Sequence, residues 1–202
     1  MFRRTLFFVF VIGALTARPS SASSIVVNGG FETGTFANWT VTGGATFCPP
    51  LVASNGQNIC GAAIVGPPHS GTYYAVLGNN TNDWFLDQTL ITTPNQIYDL
   101  SFWLSNNAVN GGIVPNDFHL SWNGTQIYSA SNLGAFGFTE FTFNGLMATG
   151  GSTVLRIGGF RQDPGYFGLD DVSVQAEVPE PVSLLLLGTG LLVLRRHRRV
   201  AR

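Results

Sequence analysis

At 202 residues the chain has room for one ordinary domain once its two atypical ends are set aside. It contains no lysine, and from Ser24 to Val178 only Arg156 and Arg161 stand against ten carboxylates, a net charge of about −8. A surface so poor in cations cannot neutralise a phosphate backbone, which argues against nucleic acid as a partner; it suits an extracellular domain with carboxylates to spare as calcium ligands.

The chain opens with a positive stretch, Met1 to Arg4, followed by an apolar run from Thr5 to Ala17. Arg18 and Pro19 then stop any helix, and Ser20 to Ser24 are small residues. That order predicts a signal peptide over residues 1–22, with Ser20 at −3 and the signal-peptidase cut after Ala22. The run is too short for an ordinary membrane-spanning helix.

Residues 24–177 read as all-β. Short runs rich in Val, Ile, Thr, Phe, Tyr and Trp are punctuated by Gly, Asn and Pro, and long 3.6-period segments are absent. The expected strands are Trp39–Thr42, Tyr73–Leu77, Trp84–Ile91, Gln96–Ser105, Asp117–Trp122, Thr125–Tyr128, Phe138–Phe143, Thr153–Ile157 and Gly168–Gln175. Tyr98, Leu100, Phe102 and Leu104 share one face, as do Phe118, Leu120 and Trp122, and Asn123–Gly124 predicts a tight hairpin. Strands at this spacing suggest a β-sandwich. Cys48 and Cys60, the only cysteines, are expected to pair in an exported chain and close a Pro/Gly/Asn-rich loop. A redox or metal pair would need C-x-x-C spacing or nearby histidines, and neither is present.

After Pro179–Glu180–Pro181 comes a short apolar helix, Val182 to Leu194, and then Arg195–Arg196–His197–Arg198–Arg199. Such a helix is about 20 Å long, against a hydrocarbon core of ~30 Å, so it is a marginal anchor with its arginines on the cytoplasmic side. Residues 178–202 resemble the PEP-CTERM sorting signal of exported proteins of Gram-negative bacteria. The same tail is also labelled an ice-binding-protein C-terminal domain, a name that implies no ice-binding activity. The resemblance implies a precursor held transiently in the inner membrane and cut near the motif by an exosortase. The mature form would then lie at the cell surface or outside.

Two motifs bracket the domain: Val27–Asn28–Gly29–Gly30–Phe31–Glu32, followed by Trp39, and Gly168–Leu169–Asp170–Asp171–Val172–Ser173–Val174. Together with HSGTYYAVLG in between, they resemble the galactose-binding-like jelly rolls, a fold shared by many carbohydrate-binding modules. The expected architecture is therefore a jelly-roll sandwich flanked by an N-terminal signal helix and a short C-terminal membrane helix. The resemblance also implies a structural Ca2+ where the two motifs meet, held by Glu32 and Asp170 with Asp171 as the alternative. Alternation places Asp170 on the side of Val172 and Val174, facing inward and needing a partner. The alternative is that these carboxylates accept backbone N–H bonds with no metal.

Carbohydrate-binding jelly rolls hold sugars on exposed aromatic faces, with amides and carboxylates satisfying the hydroxyls. Trp103, whose parity is opposite to the core face of its strand, and Trp84, beside Asn79, Asn80, Asn82 and Asp83, fit that role; Tyr73 and Tyr128 fit it less well. Each tryptophan has the alternative of filling the core. Catalysis finds little support: there is no G-x-S-x-G elbow, H-E-x-x-H pair or P-loop, and His69 reads as a turn residue. The expectation is a non-enzymatic surface or matrix protein associated with envelope or exopolysaccharide. A lectin-like module is the alternative, and a secreted hydrolase a remote one.

Overall fold

The computed structural model describes residues 22–43, 49–59, 63–108, 114–161 and 165–178. The expected signal and membrane helices and the pair Cys48 and Cys60 lie outside them, as do Pro179, Glu180, Pro181, Arg195 and Arg196. One compact unit spans Ala22–Glu177, and no helix long and apolar enough to cross a membrane occurs among the described residues.

The unit is an antiparallel jelly-roll sandwich. Its strands are β1 (Thr40–Gly43), β2 (Leu51–Ser54), β3 (Asn58–Ile59), β4 (Ala63–Ile64), β5 (Tyr73–Leu77), β6 (Asn79–Ile91), β7 (Ile97–Ala108), β8 (Asn116–Trp122), β9 (Thr125–Ser131), β10 (Phe136–Met147), β11 (Ser152–Arg161) and β12 (Gly165–Ala176). The first sheet runs β1-β6-β11-β8-β9, the second β10-β7-β12-β5-β2, and β3 and β4 form a separate hairpin. All nine strands expected from the sequence are present. The additional ones, β2 to β4, lie in the Pro/Gly/Asn-rich stretch, where strand residues are too few to leave a periodic signal.

The core follows from period two. Leu100, Phe102 and Leu104 of β7 meet Phe118 and Leu120 of β8 across the two sheets, with the Phe102 and Phe118 rings 5.8 Å apart. The β8–β9 turn is the expected one: Asn123 at φ 49° and Gly124 at φ 80° take the left-handed pair that a two-residue hairpin needs. Phe31 and Trp39 fill the same core, and the Trp39 Nε1 donates to Asn28 O at 3.1 Å. The first motif thus folds into a turn that plugs the sandwich.

On the outer face of the first sheet, Arg156 forks onto Asp87 with two bonds of 2.7 Å and covers the Phe85 ring at 4.8 Å. The guanidinium is exposed, so screening leaves little net energy. Arg156→Ala is expected to cost less than about 1 kcal/mol, read as a change of at most a few degrees in Tm.

Candidate functional site

The outer face of the second sheet is where the polar and aromatic residues gather. With Leu100, Phe102 and Leu104 of β7 turned to the core, Trp103, Ser105 and Asn107 stand on the other side. On β12, Gly168 pairs with Ser105 and Asp170 with Trp103. A Cβ on Gly168 would strike Ser105 Oγ and approach Tyr74 Cε2 to 2.9 Å and Phe138 Cζ to 3.1 Å. Glycine here lets the two rings close over the strand. β2 edges this sheet and the segments after it, 55–59 and 63–72, cover part of the face, so that Ala53, Ile59 and Val65 join Tyr74, Val76 and Tyr166 in a second, smaller core.

Asp170 is buried on this outer face, and the inward orientation expected from alternation is wrong. A β-bulge between Asp170 and Ser173, with Asp171 at φ 49°, inserts one residue and shifts the parity. Leu169, Val172 and Val174 therefore all reach the main core, while Asp170 points the other way. Its carboxylate accepts from the backbone N–H groups of His69 at 3.0 Å, Ser70 at 3.1 Å and Asp171 at 2.8 Å. Asp171 lies 2.7 Å from His69 Nδ1 and accepts from Ser70 Oγ at 2.9 Å. Glu32 accepts from Thr72 N and Tyr73 N, which ties the first motif to the same turn. Burial pushes the Asp170 carboxyl up to about 6, and the charge of Asp171 adds to this against the pull of the backbone donors.

The Asp170 and Asp171 carboxylates meet beside Gly30, which Glu32 approaches with its Cγ while its carboxylate bonds Thr72 N and Tyr73 N. A Cβ on Gly30 would stand 3.3 Å from Asp171 Oδ1, 3.8 Å from Asp170 Oδ1 and 3.8 Å from Glu32 Cγ. His69, Asp170 and Asp171 also offer possible ligand atoms within 4.8 Å of one another. The two carboxylates, one of them buried and desolvated, offer the hard oxygen atoms that a calcium ion takes; the third atom of this group is a histidine nitrogen, and the Glu32 carboxylate lies outside it.

Trp103 is partly exposed, but one of its ring faces is taken: the His69 imidazole stacks on it at 3.6 Å, tilted by only 11°. His69 also sits edge-on to Phe138 at 6.0 Å, and Phe138 to Tyr74 at 5.5 Å, which makes an aromatic wall. Beside it opens a cleft of about 570 Å³ lined by Tyr74, Ser105, Asn107, Phe136, Phe138 and Tyr166, among others. At its floor Asn107 Nδ2 and Gly66 N donate to Tyr166 Oη at 2.7 and 3.2 Å, with Tyr74 Oη 3.5 Å away. Burial raises the Tyr74 hydroxyl, which stays protonated and neutral.

Of the sugar-facing residues expected from the sequence, the structure brings only Trp103 to this face. Trp84 is 0% exposed, inside the main core, and offers no ring to a ligand; it shares the inward parity of Leu86 and Leu90. Asn82 and Asp83 are exposed but lie on β6 of the first sheet. Tyr128 packs against Phe118, Phe141 and Phe143, and the Tyr73 ring lies beside Gly34. His69, Tyr74, Asn107, Phe138 and Tyr166 were missed; outward parity from Trp103 along β7 was the signal that reaches Asn107.

No protein-family model matches the chain, and no curated protein does. Solved structures do. TmCBM61 in complex with β-1,4-galactotriose superposes with a TM-score of 0.57 at 17% identity, over 76% of this chain and 99% of that one. The fold is that of the carbohydrate-binding modules. The tandem CBM22-1–CBM22-2 of Paenibacillus barcinonensis Xyn10C gives 0.52 at 17% identity, covering 82% of this chain and 49% of the tandem. The enzymatically active domain of bacteriophage CBA120 tailspike protein 4 gives 0.54 at 14% identity, over 76% of this chain and 21% of that one. At such identities the likeness is one of fold.

Proposed function

We propose that this chain is an exported, non-enzymatic carbohydrate-binding module that works at the cell envelope or in exopolysaccharide. The observation that carries the reading is the outer face of the second sheet, where an aromatic wall, amides and hydroxyls meet around an open cleft. The neighbour solved with β-1,4-galactotriose supports the same ligand class. Among the described residues the one histidine–carboxylate pair, His69 with Asp171, has no nucleophile in a triad-like arrangement: Ser70 Oγ donates to the same Asp171. The test is a glycan array on the full exported domain. Binding of a defined glycan without release of reducing ends is the expected result, and turnover of the bound glycan would overturn the reading.

Export follows from the ends of the chain. Residues 1–22 serve signal peptidase, and 178–202 serve an exosortase that reads Pro179–Glu180–Pro181 while Arg195 and Arg196 hold the inner side of the membrane. The mass of the protein recovered from culture checks this; a full-length soluble species would refute it.

A calcium ion would be held by Glu32, Asp170 and Asp171, and it would neutralise carboxylates that otherwise repel where the first and last motifs meet. Because the folded-state pKa of Asp170 is raised, its protonated form contributes stability below the ordinary carboxylate range, and this is lost as pH rises through about 6. Calcium offsets that loss. The expected result is therefore a Ca2+-dependent rise in Tm at pH 7.5, about 2.7 kcal/mol at a hundredfold excess over Kd, shrinking towards pH 4. A Tm indifferent to EDTA at pH 7.5 would remove the metal.

A further inference from the structure

We infer that the cleft beside Tyr166 is the subsite that holds the ligand, and that it selects an uncharged glycosyl unit over a uronic or sulfated one. The inference rests on the carbohydrate-binding reading and adds the place and the chemical class.

Three observations carry it. Tyr166 Oη already accepts from Asn107 Nδ2 and Gly66 N, which uses both oxygen lone pairs. The Tyr74 hydroxyl points its own proton at the same oxygen from a long 3.5 Å, which leaves the Tyr166 proton for an oxygen entering the cleft. A ligand hydroxyl there would find a directed donor on a floor that is otherwise nearly buried. The second observation is the walls. Phe136, Phe138 and Pro67 present apolar surface, while Ser105 and Asn107 present polar groups on the same face. A purely apolar guest would leave the Tyr166 proton unmet, whereas a pyranose has a C–H face for the rings and hydroxyls for the polar side.

The third is charge. No lining residue of the cleft is acidic or basic. With two arginines against ten carboxylates between Ser24 and Val178, the surrounding field repels anions, and no cation in the cleft compensates. An acidic sugar would lose its hydration with nothing to pair it. The volume of about 570 Å³ lies within the range of specific small-molecule sites.

The test measures binding by the full exported domain to two polymer sets: neutral galactans, xylans and glucans, and polygalacturonate or a sulfated galactan. Two variants address the cleft. Tyr166→Phe removes only the hydroxyl, and Gly137→Trp adds a ring at a rim position where a Cβ meets nothing within 4 Å, so it blocks entry without disturbing the core. Arg156→Ala on the opposite sheet is the control. The expected result is binding to a neutral glycan, weakened about fivefold to tenfold by Tyr166→Phe, lost in Gly137→Trp and unchanged in Arg156→Ala. Glycan binding that survives Gly137→Trp, or a preference for the acidic polymers, overturns this inference and leaves the carbohydrate-binding reading standing. Absence of binding to every polymer overturns both. A single cooperative unfolding transition shows that each variant folds, with a lower Tm expected for Tyr166→Phe because it takes the acceptor from two donors.

Discussion

Asp170→Ala is expected to lower Tm by roughly 5–15 °C. The side chain is 0% exposed, and its carboxylate collects the N–H groups of His69, Ser70 and Asp171. Removing it strands three donors in a part-buried turn, each costing about 1–3 kcal/mol if fully desolvated and less where water can enter. A total of roughly 2–4 kcal/mol follows, and a domain of this size loses about 2–4 °C per kcal/mol. Asp170→Asn separates shape from charge: it should lose most at pH 7.5 with Ca2+, and little at pH 4, where the native carboxyl is itself protonated. Calorimetry at the two pH values reads this directly. A Tm for Asp170→Ala within one or two degrees of the parent would mean that the turn is held by something else.

Gly71→Ala is the second large effect. Gly71 has φ +62°, and a Cβ there would run into the Glu32 carboxylate, which accepts from Thr72 N at 2.9 Å and Tyr73 N at 3.0 Å. Gly56 has a similar φ of +79° but nothing within 4 Å of its Cβ. Both substitutions meet the same left-handed backbone penalty of about 1 kcal/mol. The difference between them isolates the clash. Gly56→Ala should therefore cost about 1 kcal/mol, and Gly71→Ala about 1 kcal/mol more, since the exposed Glu32 side chain can swing aside but gives up its bonds to Thr72 N and Tyr73 N. Urea unfolding of the two variants settles the comparison. Equal midpoints would show that Glu32 does not brace the turn, and the double variant with Glu32→Ala should recover part of the loss.

Strands were legible where side chains alternate cleanly. The apolar positions of β7 and β8 and the Asn123–Gly124 turn were readable because a sheet with one buried face writes period two into the chain. The segment around β2 to β4 was not, because its strands are two to four residues long and are held by their partners, β2 at the edge of the second sheet and β3 with β4, more than by a pattern of their own. The aspartate pair misled in a more instructive way. Counting residues back from Val174 turns Asp170 inward, but the bulge at Asp171 adds a residue that no local residue type announces. Trp84 misled through its neighbours: polar residues before it suggested exposure, while its step to Leu86 and Leu90 already pointed inward. Parity outranks neighbourhood. The stacking of His69 on Trp103 joins positions in different strands and loops, and no spacing in the chain encodes such a meeting.

The part of the cover beyond the β2 ladder, residues 55–59 and 63–66, has a kinetic consequence. Apart from the short β3–β4 ladder and one bond from Gly66 N to Tyr166 Oη, it is fastened to the second sheet by Ile59 and Val65, whereas the sandwich beneath is closed by both sheets at once. Such a flap opens far more often than the barrel-like body unfolds, so its amides should exchange with deuterium long before those of β7 and β12. Gly66 and Pro67 line the cleft beside Tyr166, so a ligand seated there should slow the exchange of the flap amides.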